Sequence, residues 1–78
     1  MTQVEVTVTD TYGGELNYSW VRRYNVSPKQ WTRRAIAHAA KAAAGMAGVR
    51  GRSSWDGECY EFRPYRACVA LYTLPLED

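Results

Sequence analysis

The side chains best suited to chemistry in this chain are one histidine, His38, two cysteines, Cys59 and Cys68, and a run of glycines interleaved with arginines: Gly45, Gly48, Arg50, Gly51 and Arg52. A histidine acting as general base is oriented by a neighbouring acid. On a helix, the neighbours of His38 at three and four residues are Ala35, Arg34, Lys41 and Ala42, and none is a carboxylate. His38 therefore reads as a boundary residue between cations. Zinc needs four ligands at clustered spacing, and His38, Cys59 and Cys68 are far apart in sequence, so no metal and no cofactor is assigned. Phosphate loops precede a helix and use its positive end, whereas these glycines follow a helical segment and read as its exit. No residue set with catalytic spacing is left, and the chain is expected not to be an enzyme.

What remains is surface. Arg33 and Arg34 fall in the first turns of the helical segment, where the macrodipole disfavours a cation by about 0.3–1 kcal/mol, so a salt bridge to Asp10 or Glu15 is expected. The other use of these arginines is a cationic edge, shared with Lys41, for an anionic partner. A second candidate surface is a sheet face carrying Glu61, Arg63, Arg66 and Tyr72 near Arg23, a basic and aromatic arrangement of the kind that stacks single-stranded bases. Glu61 opposes phosphate there, and Tyr72 is the one clear outward aromatic. Cys68 on the same face is a candidate for an intermolecular disulfide between two copies.

These residues must be positioned by a small set of elements. Val4, Val6 and Val8 alternate with polar residues, the period of a half-buried strand. A turn at Asp10–Gly14 leads to a second strand from Glu15 to about Tyr24, with Val8 opposite Leu16, Val6 opposite Tyr18 and Val4 opposite Trp20. The segment from Val26 to Ala47 reads as a helix. Ser27 is the cap, Pro28 the first helical residue and Gln30 the returning partner, and Val26 staples to Trp31. Its inward arc is Trp31, Ala35, Ile36, Ala39, Ala42, Ala43 and Met46, and its outward arc is Arg33, Arg34, His38 and Lys41. A polar loop at Ser53, Ser54 and Asp56 follows. Two strands then flank a turn at Arg63–Arg66, pairing Phe62 with Ala67, Tyr60 with Val69 and Glu58 with Leu71, which sets Cys59 opposite Ala70 and Cys68 opposite Glu61.

The expected architecture is α+β, a two-layer sandwich in which an antiparallel sheet of three to four strands, in the order ββαββ, carries one Ala-rich helix on one face. Residues 1–78 form a single domain, with 74–78 as a frayed tail. The other sheet face is left bare, which argues for a partner or a second copy. Ten Lys and Arg against eight Asp and Glu, a formal charge of +2, are too mild a balance to mark a nucleic-acid binder. The alternating first residues lack the charged start and apolar run of a signal peptide, and the Ala-rich run is too short for a membrane span. Free thiols are the expectation for the two cysteines, and the sequons at Asn17 and Asn25 carry no weight without secretion.

The segments TYGGELNYSWVRR (11–23), GVRGR (48–52) and EFRPYRACVALY (61–72) resemble a group of short, uncharacterised proteins encoded by bacteriophages and prophages. A phage protein of this size without an active site is similar in kind to the anti-CRISPR proteins. That resemblance implies binding to a bacterial CRISPR effector complex, with the type I surveillance complex, Cascade, as first target, in the cytoplasm of the infected host, and obstruction of DNA capture or cleavage. The net charge departs from whole-duplex DNA mimicry, which needs an acidic surface. A small single-stranded nucleic-acid-binding module is the alternative function, and a minor virion or assembly protein the third.

Overall fold

A computed structural model describes residues 3–76 and gives the elements β1 (Gln3–Tyr12), β2 (Glu15–Val26), α1 (Arg33–Ala43), β3 (Gly51–Asp56), β4 (Cys59–Pro64) and β5 (Val69–Leu76). All strands belong to one antiparallel sheet in the order β2-β1-β5-β4-β3. The helix α1 rests on one face, chiefly against β1, β2 and β4. The two-layer α+β plan is the expected one, but with five strands in the order ββαβββ rather than three to four in the order ββαββ.

The additional strand is β3, where a polar loop was expected. Its residues Gly51, Arg52, Ser53 and Ser54 have weak strand preference, which an edge strand tolerates because only one of its sides must pair. The turn that forms it is legible in hindsight. Gly57, with φ 61°, leads a two-residue loop joining Asp56 to Cys59, the glycine-first pattern of a type II′ hairpin, and places Trp55 opposite Tyr60. At the other end Gly51 cannot be replaced without movement. A Cβ there would sit 2.7 Å from Cζ of the buried Phe62 ring and against the Arg63 carbonyl oxygen.

The helix is shorter than expected and turned differently. Its cap is Thr32, whose hydroxyl accepts from the Ala35 N–H at 3.1 Å, and not Ser27; Pro28 to Trp31 lie ahead of it in a bent segment. Both are valid capping types, and the one nearer the core contacts wins. The fully buried helix residue is Ala40, with Ala37 and Ala44 packed beside it, whereas Ala42 faces solvent. The helix ends in a Schellman motif. Gly45, at φ 72°, donates to the Ala42 carbonyl, and Met46 N–H donates to that of Lys41 at 2.7 Å, which turns Met46 back onto the core.

Both hairpins change their partners, and the first also changes a face. Leu16, Tyr18 and Trp20, expected on the core side opposite the valines, leave it, since Leu16 pairs with Thr11, Tyr18 and Trp20 are exposed, and Tyr18 reaches Tyr72 on the face away from the helix. Val4, Val6 and Val8 pair with Val26, Tyr24 and Arg22 instead of Trp20, Tyr18 and Leu16. The cause is a wide bulge. The hairpin closes through Gly13 and Gly14, both at positive φ, with Thr11 opposite Leu16, and residues 17–20 then loop out before pairing resumes at Thr9 and Val21. Tyr18 sits in the bulge at φ 58°, uncommon for a side-chain-bearing residue. In the second hairpin Phe62 pairs with Leu71 and Glu61 with Tyr72, a shift of four residues. An even shift preserves the faces, so Tyr60, Phe62 and Leu71 are core as expected, while Ala67 and Cys68 move into the exposed β4–β5 connection. Leu74, Pro75 and Leu76, expected to fray, are paired with Glu5, Val4 and Gln3; Glu77 and Asp78 lie outside the described residues.

Candidate functional site

On the face away from the helix, Glu61, Arg63 and Tyr72 are brought together as expected, but the face is not bare. The β1–β2 hairpin curls over it. Tyr18 reaches from the bulge to the Tyr72 hydroxyl, at 3.4 Å, and the Arg63 guanidinium donates to the Gly14 carbonyl as well as to Glu61 Oε2 at 2.8 Å. The hydrogen bond between the two phenols holds that of Tyr18 above its ordinary pKa. Thr7, Thr9 and Ala70 beneath this layer are buried. Asp10 holds the bulge in place. It accepts from the Ser19 N–H at 2.9 Å and from Asn17 Nδ2 at 2.8 Å, and Thr9 Oγ1 donates to the Trp20 carbonyl; hydrogen bonding by the Ser19 side chain, then by that of Asn17, lowers the Asp10 pKa to about 2. Arg23 lies 3.9 Å from Glu5 at the margin, and Arg66 stands apart in the β4–β5 connection. Cys68 is exposed in that connection, where its carbonyl accepts from Thr11 N–H, and is not opposite Glu61 on the sheet.

The cationic helix edge is also divided. Arg33 stacks on the Trp55 ring, 5.1 Å from its centroid. Lys41 Nζ lies 4.3 Å from the centroid of Phe62 and donates to the Val49 carbonyl. Both cations therefore turn toward the sheet, their stems covering apolar surface. Arg34 and His38 alone face outward, over an open depression that also contains Lys29. Neither Arg33 nor Arg34 forms the expected ion pair with Asp10 or Glu15 among the described residues; Asp10 is committed to the bulge.

The arrangement produces a cleft that sequence reasoning did not assemble. Between the start of α1 and the β3–β4 turn lies a concavity of about 340 Å³, lined by Val4, Ile36, Pro75, Trp31 and Trp55, with Arg33 and Glu58 as its charged groups. Trp31 is 44% exposed, Trp55 is half-buried, and both Arg33 and Tyr60 pack on the Trp55 ring, the Tyr60 centroid at 5.1 Å. Apolar walls with two opposite charges suit a single large side chain presented by a partner. No family model, curated protein or solved structure matches this chain.

A second concavity, about 620 Å³ and shallow, lies between the Gly48–Arg50 segment and the β4–β5 connection. Its walls are tied together by Tyr65 N–H donating to the Arg50 carbonyl at 3.2 Å, and Lys41 braces one wall through Val49. Arg50, Arg66 and the 72% exposed Tyr65 line it, with no carboxylate among the lining residues. Among the described residues, no three His, Cys, Asp or Glu side chains are grouped to hold a metal ion, and no helix is long and apolar enough to cross a membrane.

Proposed function

We propose that this chain is a phage-encoded anti-defence protein that acts stoichiometrically, without catalysis, by binding a bacterial CRISPR effector complex in the host cytoplasm and blocking DNA capture or cleavage. The observation that supports a protein partner is the cleft between Trp31 and Trp55. A tryptophan-lined recess of about 340 Å³, roomy enough to admit a large side chain, with Arg33 and Glu58 at hand to orient a polar neighbour, has the anatomy of a receptor for a partner's anchor residue. The surfaces first considered for binding support this less, because Arg63 and Tyr72 are engaged with the hairpin, Glu61 with Arg63, and Lys41 with Phe62. The test is target-DNA binding by a purified type I effector complex with the chain added at equimolar and tenfold ratios. Binding of DNA is expected to fall as the chain saturates the complex, and Trp31→Ala is expected to abolish the effect while keeping the wild-type far-UV spectrum. Unchanged DNA binding at tenfold excess would refute the proposal.

A second reading, a single-stranded nucleic-acid module, draws on the groove with Arg50, Arg66 and Tyr65, where cations and an exposed ring occur without an opposing acid. Micromolar binding of an oligonucleotide with a steep salt slope, lost in Arg50→Ala/Arg66→Ala, would favour it over the first.

A further inference from the structure

The strand β3 is an edge with its outer side unpaired among the described residues. Which of its residues face outward follows from two hydrogen bonds. Tyr65 N–H donates toward β3, to the Arg50 carbonyl, whereas Tyr60 N–H turns the other way, to Thr73 Oγ1 on β5. Odd-numbered residues after Cys59 therefore bond β3, and in the register Arg52↔Arg63, Ser54↔Glu61 and Asp56↔Cys59 the even residues of β3 spend their main-chain groups on β4. The N–H and C=O groups of Gly51, Ser53 and Trp55 point out of the sheet. The side chains of Arg52, Ser54 and Asp56 lie together on the face away from the helix.

We propose that this edge pairs with the same edge of a second copy, antiparallel, about a twofold axis at Ser54. An isologous pairing of two such edges must match outward residues with outward residues. Centring it on Ser54 does so, setting Ser53 opposite Trp55 of the second copy, and Trp55 opposite Ser53, as pairs that exchange both main-chain hydrogen bonds. The same register sets Arg52 opposite Asp56 of the second copy, twice, in the closer-spaced pairs where cross-strand charges interact best. Charge complementarity selects the occupant. Within one chain Arg52 faces another cation, Arg63, across the ladder, and neither Arg52 nor Asp56 forms an ion pair among the described residues. Shifting the axis by one residue in either direction sets one charge of β3 opposite a residue outside the strand, Asp56 opposite Arg50 or Arg52 opposite Glu58, and the other opposite Ser54, so the Ser54 axis alone pairs both charges within β3. The helix raises no obstacle, since it rests chiefly on β1, β2 and β4 and reaches β3 through Arg33 over Trp55. The axis is perpendicular to the sheet, so the two helices and the two tryptophan clefts share one face of a continuous sheet, and a partner presenting two anchor residues would be bound with avidity.

The experiment is sedimentation equilibrium of the full chain in reductant, in a Cys68→Ser background that removes the exposed thiol, with amide exchange read at single residues. The wild type is expected at twice the 8.8 kDa of one chain at high micromolar concentration. Asp56→Arg and, independently, Ser54→Glu, which puts like charges on the axis, are expected to be monomers with wild-type far-UV spectra. The double variant Arg52→Asp/Asp56→Arg, which reverses both charges and keeps them opposite across the seam, is expected to restore the dimer. Exchange at the Ser53 and Trp55 amides should slow with rising concentration while that at Ser54 stays constant. A monomer at every concentration, or a dimer that survives both Asp56→Arg and Ser54→Glu, would overturn the proposal.

Discussion

Replacing Ala40 by leucine tests the orientation of the helix directly. Ala40 has no exposed surface and belongs to the buried cluster of Val6, Val8, Tyr60, Phe62 and Leu71, so three added carbons must displace strand residues or force the helix outward. Overpacking of this kind costs about 1–3 kcal/mol. The same substitution at exposed Ala42 changes helix propensity by a comparable ~0.2 kcal/mol but meets no neighbour, and should stay within about 0.5 kcal/mol of wild type. The difference between the two variants is therefore the burial effect alone. For a domain of this size each kcal/mol moves the melting temperature by roughly 4–8 °C, so Ala40→Leu should melt roughly 4–24 °C below Ala42→Leu. Thermal melts by far-UV circular dichroism, with urea titrations to check that m is unchanged, read it out. If Ala42→Leu were the damaging change and Ala40→Leu neutral, the helix would be rotated toward the face that the periodicity alone suggested, and the packing described above would be wrong.

Four other outcomes follow from specific contacts. Gly51→Ala should destabilise by about 1–3 kcal/mol in urea, since its methyl group meets the buried Phe62 ring and a backbone carbonyl; a loss under about 0.3 kcal/mol would show the close approach to be absent. Thr7→Val should stabilise by about 1 kcal/mol, because the Thr7 hydroxyl is buried without a hydrogen-bond partner, and a destabilised variant in the same titration would mean that the hydroxyl is satisfied. The Asp10 carboxyl, lowered from 3.8 to about 2, contributes stability that is present above pH 4 and lost as pH falls through 2, so the melting-temperature gap between wild type and Asp10→Asn should close over that window; a constant gap would sever Asp10 from the bulge. Maleimide followed by mass mapping should modify exposed Cys68 before half-buried Cys59, and the reverse order would contradict the placement of the β4–β5 connection.

The sequence reading succeeded where the signal was local and periodic. Alternation in Val4, Val6 and Val8, the aromatic and aliphatic residues at Tyr60, Phe62 and Leu71, and the glycine after the helix all lie where the pattern implied. Register failed because it depends on where a turn closes. The bulge at residues 17–20 is stabilised by Asp10 and Thr9, contacts whose existence requires the hairpin already to be formed, so alternation alone favoured a continuous pairing that put Trp20 opposite Val4. The β4–β5 shift had the same origin, a longer connection than the tight proline turn implied. Where the partners moved by an even number, in β4–β5 and in the pairing of Val4, Val6 and Val8, the core face survived; next to the first turn the shift is odd, and Leu16, Tyr18 and Trp20 left the core face.

The candidate site was harder to read than the fold for a related reason. The cleft draws on β1, the residues ahead of α1, α1 itself, the β3–β4 hairpin and β5, so it exists only once the long-range order of strands is known. The charges on the helix misled in a more instructive way. Residue type says that arginine and lysine seek water, but it says this of the charged tip; the stems are apolar and long enough to let Arg33 lie on Trp55 and Lys41 over Phe62. A cation lying over an aromatic ring completes a thin core, and Arg33 in that position also lines the recess beside Trp55. With Arg33 spent in that way, the helix helps to enclose the recess beside Trp55, and the cations that meet no carboxylate among their neighbours in a concavity are Arg50 and Arg66, in the groove beside the β4–β5 connection.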